Sequence, residues 1–293
     1  MPVIEGRQSV LAAIEARQRG FQAILVRRDA PRDKTADVIA AAEAAGLPLR
    51  LVERQELEGV THGTTHGGVA AIVSPKPRWT VERLFEQLPK FGDGVRAPLL
   101  LLLEGIDDAR NLGFTLRTAE ACGVDAVLIK RHVWDFDETE IARPSSGAYE
   151  RLPLVQIEDV SPLSRLRREH HQLIGCLAGA KRTLWDVDLT KPTLLALGGE
   201  KRGLSGATRE VCTRFVRIPM GKASSSLSLS HAAAMLLGEA LRQRVGARKE
   251  SAAEAAEGTE AAEGTEGTHE HTAEPVDVPP PEDGPAETVV EAP

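Results

Sequence analysis

The sequence predicts an α/β protein whose larger part is a mostly parallel sheet covered on both faces. Three observations predict it. Apolar runs of strand length recur from Ala23 to Ile218, helix-patterned segments separate them, and several runs are apolar without alternation, Leu99 to Leu103 above all. A strand that is apolar at every position is buried on both faces, the condition of a parallel sheet between helices. At 293 residues the chain is long enough for two domains.

The elements follow in order. Residues 10–19 carry a helical pattern, and residues 23–26 (Ala-Ile-Leu-Val) a buried strand. Residues 35–45 form a second helix, ended by Gly46, and residues 49–52 a strand. A short helix around Gln55, Glu56 and Leu57 precedes a strand at residues 69–73. Residues 3–76 thus read as a small first α/β domain. Pro75 and Pro77 open a linker, residues 77–98, in which Gly92 and Gly94 add flexibility. The second domain, residues 99–245, starts with the strand at 99–103 and a helix at 111–122 closed by Gly123. Strands follow at 124–129, 173–177, 193–197 and 215–218, and a final helix spans 229–244.

Residues 246–293 are different in kind. Residues 251–270 repeat Ala-Ala-Glu-Gly-Thr-Glu with small variations, and Pro279-Pro280-Pro281 follows. Little hydrophobicity and one sign of charge cannot offset the entropy of ordering, so a disordered acidic tail is expected. It either solubilises the protein or mimics RNA electrostatically and damps non-specific binding. The tail also distorts the net charge of -7. Of the 43 acidic residues, 13 lie in residues 250–293 with no lysine or arginine, which leaves 30 against 36 bases, a body of +6. A mildly basic body is compatible with a polyanionic partner.

Composition excludes several classes. No apolar run approaches the ~20 residues of a membrane span. Residues 1–7 lack the basic-then-apolar layout of a signal peptide, so a cytoplasmic protein is expected. Three scattered cysteines, Cys122, Cys176 and Cys212, with no CxxC pair, argue against disulfides and structural zinc. Only 3% of residues are aromatic, too few for stacking platforms of the RRM type.

Parallel sheets place ligands beyond the carboxyl ends of their strands, and three segments fall there. The first runs from Glu104 through Asn111-Leu112-Gly113 to Arg117. Asn111 can cap the helix; Arg117 is either a solvated surface residue or a cation aimed at an anion. The second is Gly198-Gly199-Glu200-Lys201-Arg202-Gly203-Leu204. It fits neither GxGxxG nor a P-loop, so nucleotide phosphate binding is unsupported. Its glycines let a ligand approach the backbone, or simply serve a turn. The third is Ile218-Pro219-Met220-Gly221-Lys222, then Ala223 and Ser224 to Ser230. Its serines can donate to ribose or phosphate, and Ser230 can cap the following helix.

Together and in this order, the three segments resemble the signature motifs of the SpoU-type (TrmH-like) RNA ribose 2'-O-methyltransferases of the SPOUT superfamily. Asn111-Leu112-Gly113 with Arg117-Thr118-Ala119-Glu120 matches the first motif, and Gly198-Gly199-Glu200 with Gly203-Leu204 the second. Ile218-Pro219-Met220 with Ser226-Leu227 and Ser230 matches the third. The N-terminal domain is similar to the family's small substrate RNA-binding domain, through His66-Gly67-Gly68-Val69-Ala70. The resemblance spans about residues 3–245.

The resemblance implies a SPOUT domain with a trefoil knot, an exception to the rule against knotted chains. It implies S-adenosylmethionine as cofactor, lined by Leu197, Gly198, Gly199, Glu200, Ile218, Met220 and Leu227. It further implies a homodimer with the active site at the interface and the last helix meeting the partner. Arg117, Asn111, Ser226 and Ser228 become the catalytic candidates, Arg117 positioning a phosphate and stabilising developing alkoxide, Asn111 orienting it, and Glu200 fixing loop geometry. A guanidinium is not a base in proteins, which leaves the final proton acceptor open. The implied reaction is methylation of a ribose 2'-hydroxyl in structured RNA. The extra N-terminal domain favours 23S ribosomal RNA over transfer RNA. A silent RNA-binding or ribosome-assembly protein of the same fold is the rival reading.

One departure matters. The third motif usually reads Ser-Leu-Asn-Val-Ser, and here it is Ser226-Leu227-Ser228-Leu229-Ser230, so a hydroxyl replaces an amide that donates and accepts at once. Lys222 also stands where glycine is common. Elsewhere, His62 and His66 have i,i+4 spacing but no third ligand nearby, so no metal is expected. Cys122 reads as core rather than nucleophile. Trp134, Asp135, Phe136 and Asp137 read as an exposed loop that faces RNA or only turns the chain.

Overall fold

The computed structural model describes residues 1–62, 66–94, 96–130, 136–222 and 227–263, with backbone alone at 93–94 and 251–263. Met1–Arg248 form one compact unit and Lys249–Pro293 a second.

The first sheet has the order β1-β4-β2-β3, with β1 at Val3–Glu5, β2 at Phe21–Arg27, β3 at Leu49–Val52 and β4 at Val69–Val73. Strands β1 and β2 run antiparallel to β4, whereas β3 is parallel to β2. Helices α1 (Arg7–Ala16), α2 (Arg32–Ala44) and α3 (Arg54–Glu58) complete it. The elements expected here all form, and β1 is added; three residues are too few to show a period. Gly46 ends α2 as expected, at φ +63, a conformation that only glycine adopts freely.

The second sheet is seven-stranded and parallel throughout, ordered β7-β6-β5-β10-β8-β11-β9. Its strands are β5 (Leu99–Glu104), β6 (Ala126–Lys130), β7 (Leu154–Ile157), β8 (Gln172–Cys176), β9 (Arg182–Thr183), β10 (Thr193–Gly198) and β11 (Arg214–Arg217). The apolar run of β5 divides between two cores, as strand geometry requires. Leu99, Leu101 and Leu103 pack with α5 (Ala109–Ala121) and the start of α10 (Leu229–Glu263). Leu100 and Leu102 pack on the opposite face with Leu163 and Leu166 of α8 (Ser161–Arg168), a core that Val211 of α9 (Gly206–Val211) also meets.

Two expectations are corrected. The segment at 77–98 is not a bare linker. It holds α4 (Val81–Gln87), capped by Thr80, and Leu84, Phe85 and Leu88 are buried against that second core. The prolines and glycines that suggested a link flank an amphipathic turn that the sheet needs as cover. The last helix also does not stop at Arg244, because α10 continues to Glu263 through alanine- and glutamate-rich sequence of high helix propensity. Residues 264–293 of the expected tail lie outside the described residues.

The N-terminal sheet is joined to the larger one by α6 (Glu138–Ser145) and α7 (Ala148–Arg151). Arg19 is wholly buried and bonds Glu150 at 2.7 and 2.9 Å and Glu138 at 2.6 Å. Beside it, Lys76 donates to the carbonyls of Tyr149, Glu150 and Leu152. Among the described residues no helix is long and apolar enough to cross a membrane.

Candidate active site

The three motif segments sit at the carboxyl ends of β5, β10 and β11, with β5 and β10 adjacent in the sheet. After β5 the chain turns at Gly105 (φ +70) into α5. Asp108, not Asn111, is the cap; its side chain accepts from the Asn111 amide at 2.9 Å. The Asn111 side chain is therefore free to reach outward. Its Nδ2 donates to Glu200 Oε1 at 3.3 Å, and its Oδ1 accepts from Ser230 Oγ at 3.2 Å. Glu200 Oε1 also accepts the backbone N–H of Leu229 at 3.2 Å. One residue from each motif thus meets in a single hydrogen-bonded cluster. Ser230 is spent on Asn111 rather than on the expected cap.

Glycine in the second segment answers a backbone demand. A Cβ on Gly199 would lie 1.8 Å from the Gly105 carbonyl oxygen, and one on Gly198 would lie 2.1 Å from the Gly203 carbonyl carbon. The Gly199 N–H donates to the Glu104 carbonyl at 2.6 Å, and Gly203 closes the turn by donating to Gly199 at 2.8 Å. Gly113 of the first motif has a similar reason: α6 crosses so close that a Cβ would meet Pro144 and the Ile141 carbonyl inside 3 Å.

Beneath the loop lies a polar pair that sequence reasoning missed. The Glu104 carboxylate, at the end of β5, binds the Lys130 ammonium from β6 and the Ser205 N–H at 3.1 Å. Burial opposes its charge, but Lys130 and the Ser205 and Thr208 hydroxyls outweigh this and hold the carboxyl below its usual range. Above the loop, Lys201 bridges to Asp107 at 2.8 Å, tying the second segment to the first.

Leu197 and Ile218 are buried, Leu227 packs half-buried on the same core, and Met220 is 39% exposed. Ser226 and the residues Trp134 and Asp135 lie outside the described residues. Ser228 Oγ is 3.1 Å from Ser230 Oγ and 2.6 Å from His231 Nδ1. His231 was not singled out from the sequence; the readable signal was its place three residues after Ser228, within one helical turn. Arg117 does not join the cluster. It is exposed and makes no hydrogen bond or ion pair among the described residues, on the same face of α5 as Arg110 and the 48% exposed Phe114. The Cys122 thiol is pushed up by burial, in keeping with a core role. In the N-terminal sheet, His66 is buried and its Nδ1 accepts the Gly68 N–H at 3.0 Å, a turn-forming contact.

Residues 98–238 match the SpoU rRNA Methylase family, and residues 3–79 match the domain described as RNA 2'-O ribose methyltransferase substrate binding. The Yersinia pestis protein named 23S rRNA (guanosine-2'-O-)-methyltransferase RlmB is 32% identical over 243 residues, 83% of this chain and 97% of that protein. The chain belongs to the SpoU rRNA methylase family. A second such relative, the Pseudomonas aeruginosa protein of the same name, is 38% identical over 69% of the chain and 81% of its own length. Among solved structures, the SpoU methyltransferase AviRb from Streptomyces viridochromogenes superposes with a TM-score of 0.68 at 25% identity, over 84% of this chain and 91% of that one. A structure titled RNA 2'-O ribose methyltransferase superposes with a TM-score of 0.67 at 27% identity, over 83% and 88%. The three segments at the strand ends lie within the residues that match the SpoU methylase, and the β1–β4 sheet within those that match the substrate-binding domain.

Proposed function

We propose that this chain methylates the 2'-hydroxyl of a guanosine ribose in 23S ribosomal RNA, using S-adenosylmethionine, as a homodimer in the cytoplasm. The observation that carries the reading is the Asn111–Glu200–Ser230 cluster, which draws all three motifs together at the strand ends. The residues expected around the cofactor fit it. Buried Leu197 and Ile218, half-buried Leu227 and exposed Met220 offer apolar contact to an adenine, while the glycine loop brings backbone groups within reach. When bound, the cofactor supplies a sulfonium methyl group as electrophile.

Arg117, exposed and unspent among the described residues, is suited to hold an RNA phosphate and to stabilise charge that develops on the ribose oxygen. A guanidinium does not serve as a base in proteins, so the proton goes elsewhere. Asn111 and Glu200 hold the loops in register. An exposed stripe of Ala234, Gly238, Leu241 and Val245 at helical spacing on α10, beside its buried Ala233, Leu237 and Ala240 face, supports self-association.

The deciding experiment supplies labelled cofactor with 23S rRNA and, separately, transfer RNA from a strain lacking the gene. Methyl incorporation into one guanosine of 23S rRNA is expected. Incorporation into transfer RNA alone would move the substrate, and none into either would favour the silent binder.

A further inference from the structure

We propose that Ser228 and His231 form the proton-accepting pair for the ribose 2'-hydroxyl, His231 acting through Ser228. The proposal rests on the methyl-transfer reading above and deepens it by naming the acceptor that Arg117 cannot be. It starts from the count of protons in the cluster. Glu200 can only accept, so the Asn111 amide must turn its Nδ2 toward Glu200 and its Oδ1 toward Ser230. Ser230 then spends its single hydroxyl proton on Asn111 Oδ1 and can only accept from Ser228, 3.1 Å away. Ser228 has one proton and two waiting acceptors, Ser230 Oγ and, at 2.6 Å, His231 Nδ1, when the exposed imidazole keeps its proton on Nε2.

The cluster is one proton short, and the ribose hydroxyl supplies it. As the 2'-oxygen forms its bond to the methyl carbon, the carbon–sulfur pair leaves with sulfur. The 2'-hydroxyl proton passes to Ser228 Oγ as the Ser228 proton passes to His231 Nδ1. The imidazolium then donates back through Ser228, Ser230 and Asn111 toward Glu200, every link satisfied, and exposed His231 returns its proton to water. An asparagine at position 228 both donates and accepts without help; the Ser228–His231 pair restores that two-way capacity. Among the described residues, the charged group that hydrogen bonds bring to this cluster is Glu200, from the loop after β10; Asn111 is neutral.

The test combines kinetics with a measurement that needs no turnover. In the wild type at saturating cofactor, the single-turnover rate should fall toward acid pH as His231 is protonated. His231→Asn, whose amide can still meet Ser228 but holds no extra proton, should lose that acid limb and about 100-fold in rate. In a Ser228→Asn background, the same His231→Asn change should cost less than about threefold, since the amide no longer needs the histidine. In the protein without RNA, the ¹⁵N resonance of His231 Nδ1 should move on Ser228→Ala. A wild type that transfers no methyl to any RNA defeats the functional reading and the pair together. A wild type that transfers methyl but keeps its rate and acid limb in His231→Asn, or equal losses in both backgrounds, or an unmoved Nδ1 resonance, overturns the pair alone.

Discussion

Asn111 owes its role to the residue three positions before it. Because Asp108 satisfies the first turn of α5, the Asn111 amide is free to bridge Glu200 and Ser230. Asp108→Ala should therefore cost about 1 kcal/mol of helix capping and also loosen the site, lowering cofactor affinity in a calorimetric titration. Arg117 stands apart from this network, and so Arg117→Ala should leave the unfolding midpoint and cofactor affinity unchanged while turnover falls at least about 100-fold. Loss of fold or of cofactor binding in that variant would make Arg117 structural. Gly199 is the opposite case, since an added methyl lands 1.8 Å from a carbonyl oxygen. Gly199→Ala should destabilise by about 1–3 kcal/mol in urea and weaken cofactor binding in parallel, because the backbone itself must shift.

At the scale of elements, the two sheets are locked by buried charge. Arg19 has no exposed side-chain surface and Glu150 only 1%, so removing Arg19 leaves a buried carboxylate without its guanidinium. Arg19→Met should cost about 3–5 kcal/mol in denaturant unfolding, far more than loss of the exposed Arg50–Glu56 pair on the same sheet. Lys76 adds a pH dependence of definite sign. Burial lowers its pKa to about 8, from an ordinary value of 10.5. Between those values the unfolded chain binds more protons than the folded one, so this residue makes stability rise with pH, by up to about 1.4 kcal/mol per unit. Urea titrations at pH 8 and pH 10 should show that rise in the wild type and lose it in Lys76→Met.

The whole molecule is divided by charge as well as by contact. The body carries +6 and the remainder 13 acids, and the compact unit ends at Arg248, beside that change of sign. A chain ending at Lys249 should bind RNA several-fold more tightly than the full chain at low ionic strength, and the gap should close as salt rises. Equal affinities at low salt, measured by filter binding, would make the acidic segment a bystander. The exposed stripe on α10 makes a further demand of the same body. Sedimentation should find a dimer, and Leu241→Glu should dissociate it by placing a charge where two helices meet.

The parallel sheet, five of its seven strands and the three loops at its strand ends were legible in the sequence, because an unbroken apolar run has one physical use and glycine-rich turns follow where strands end; β7 and the two-residue β9 were not. Leu99 to Leu103 and Gly198-Gly199 needed no coordinates to be noticed. Tertiary structure alone decided what those loops do to one another. Asn111 read as a cap because nothing local distinguishes it from Asp108, and its true partners lie 89 and 119 residues away. The cover provided by α4, the Arg19–Glu150 lock and the Glu104–Lys130 pair were hidden for the same reason: periodicity records which side of an element is buried, but not what buries it. His231 needed both. The sequence puts it one turn after a serine, and only the fold, by spending the Ser230 proton on Asn111, leaves that serine with one proton for two acceptors, the histidine among them.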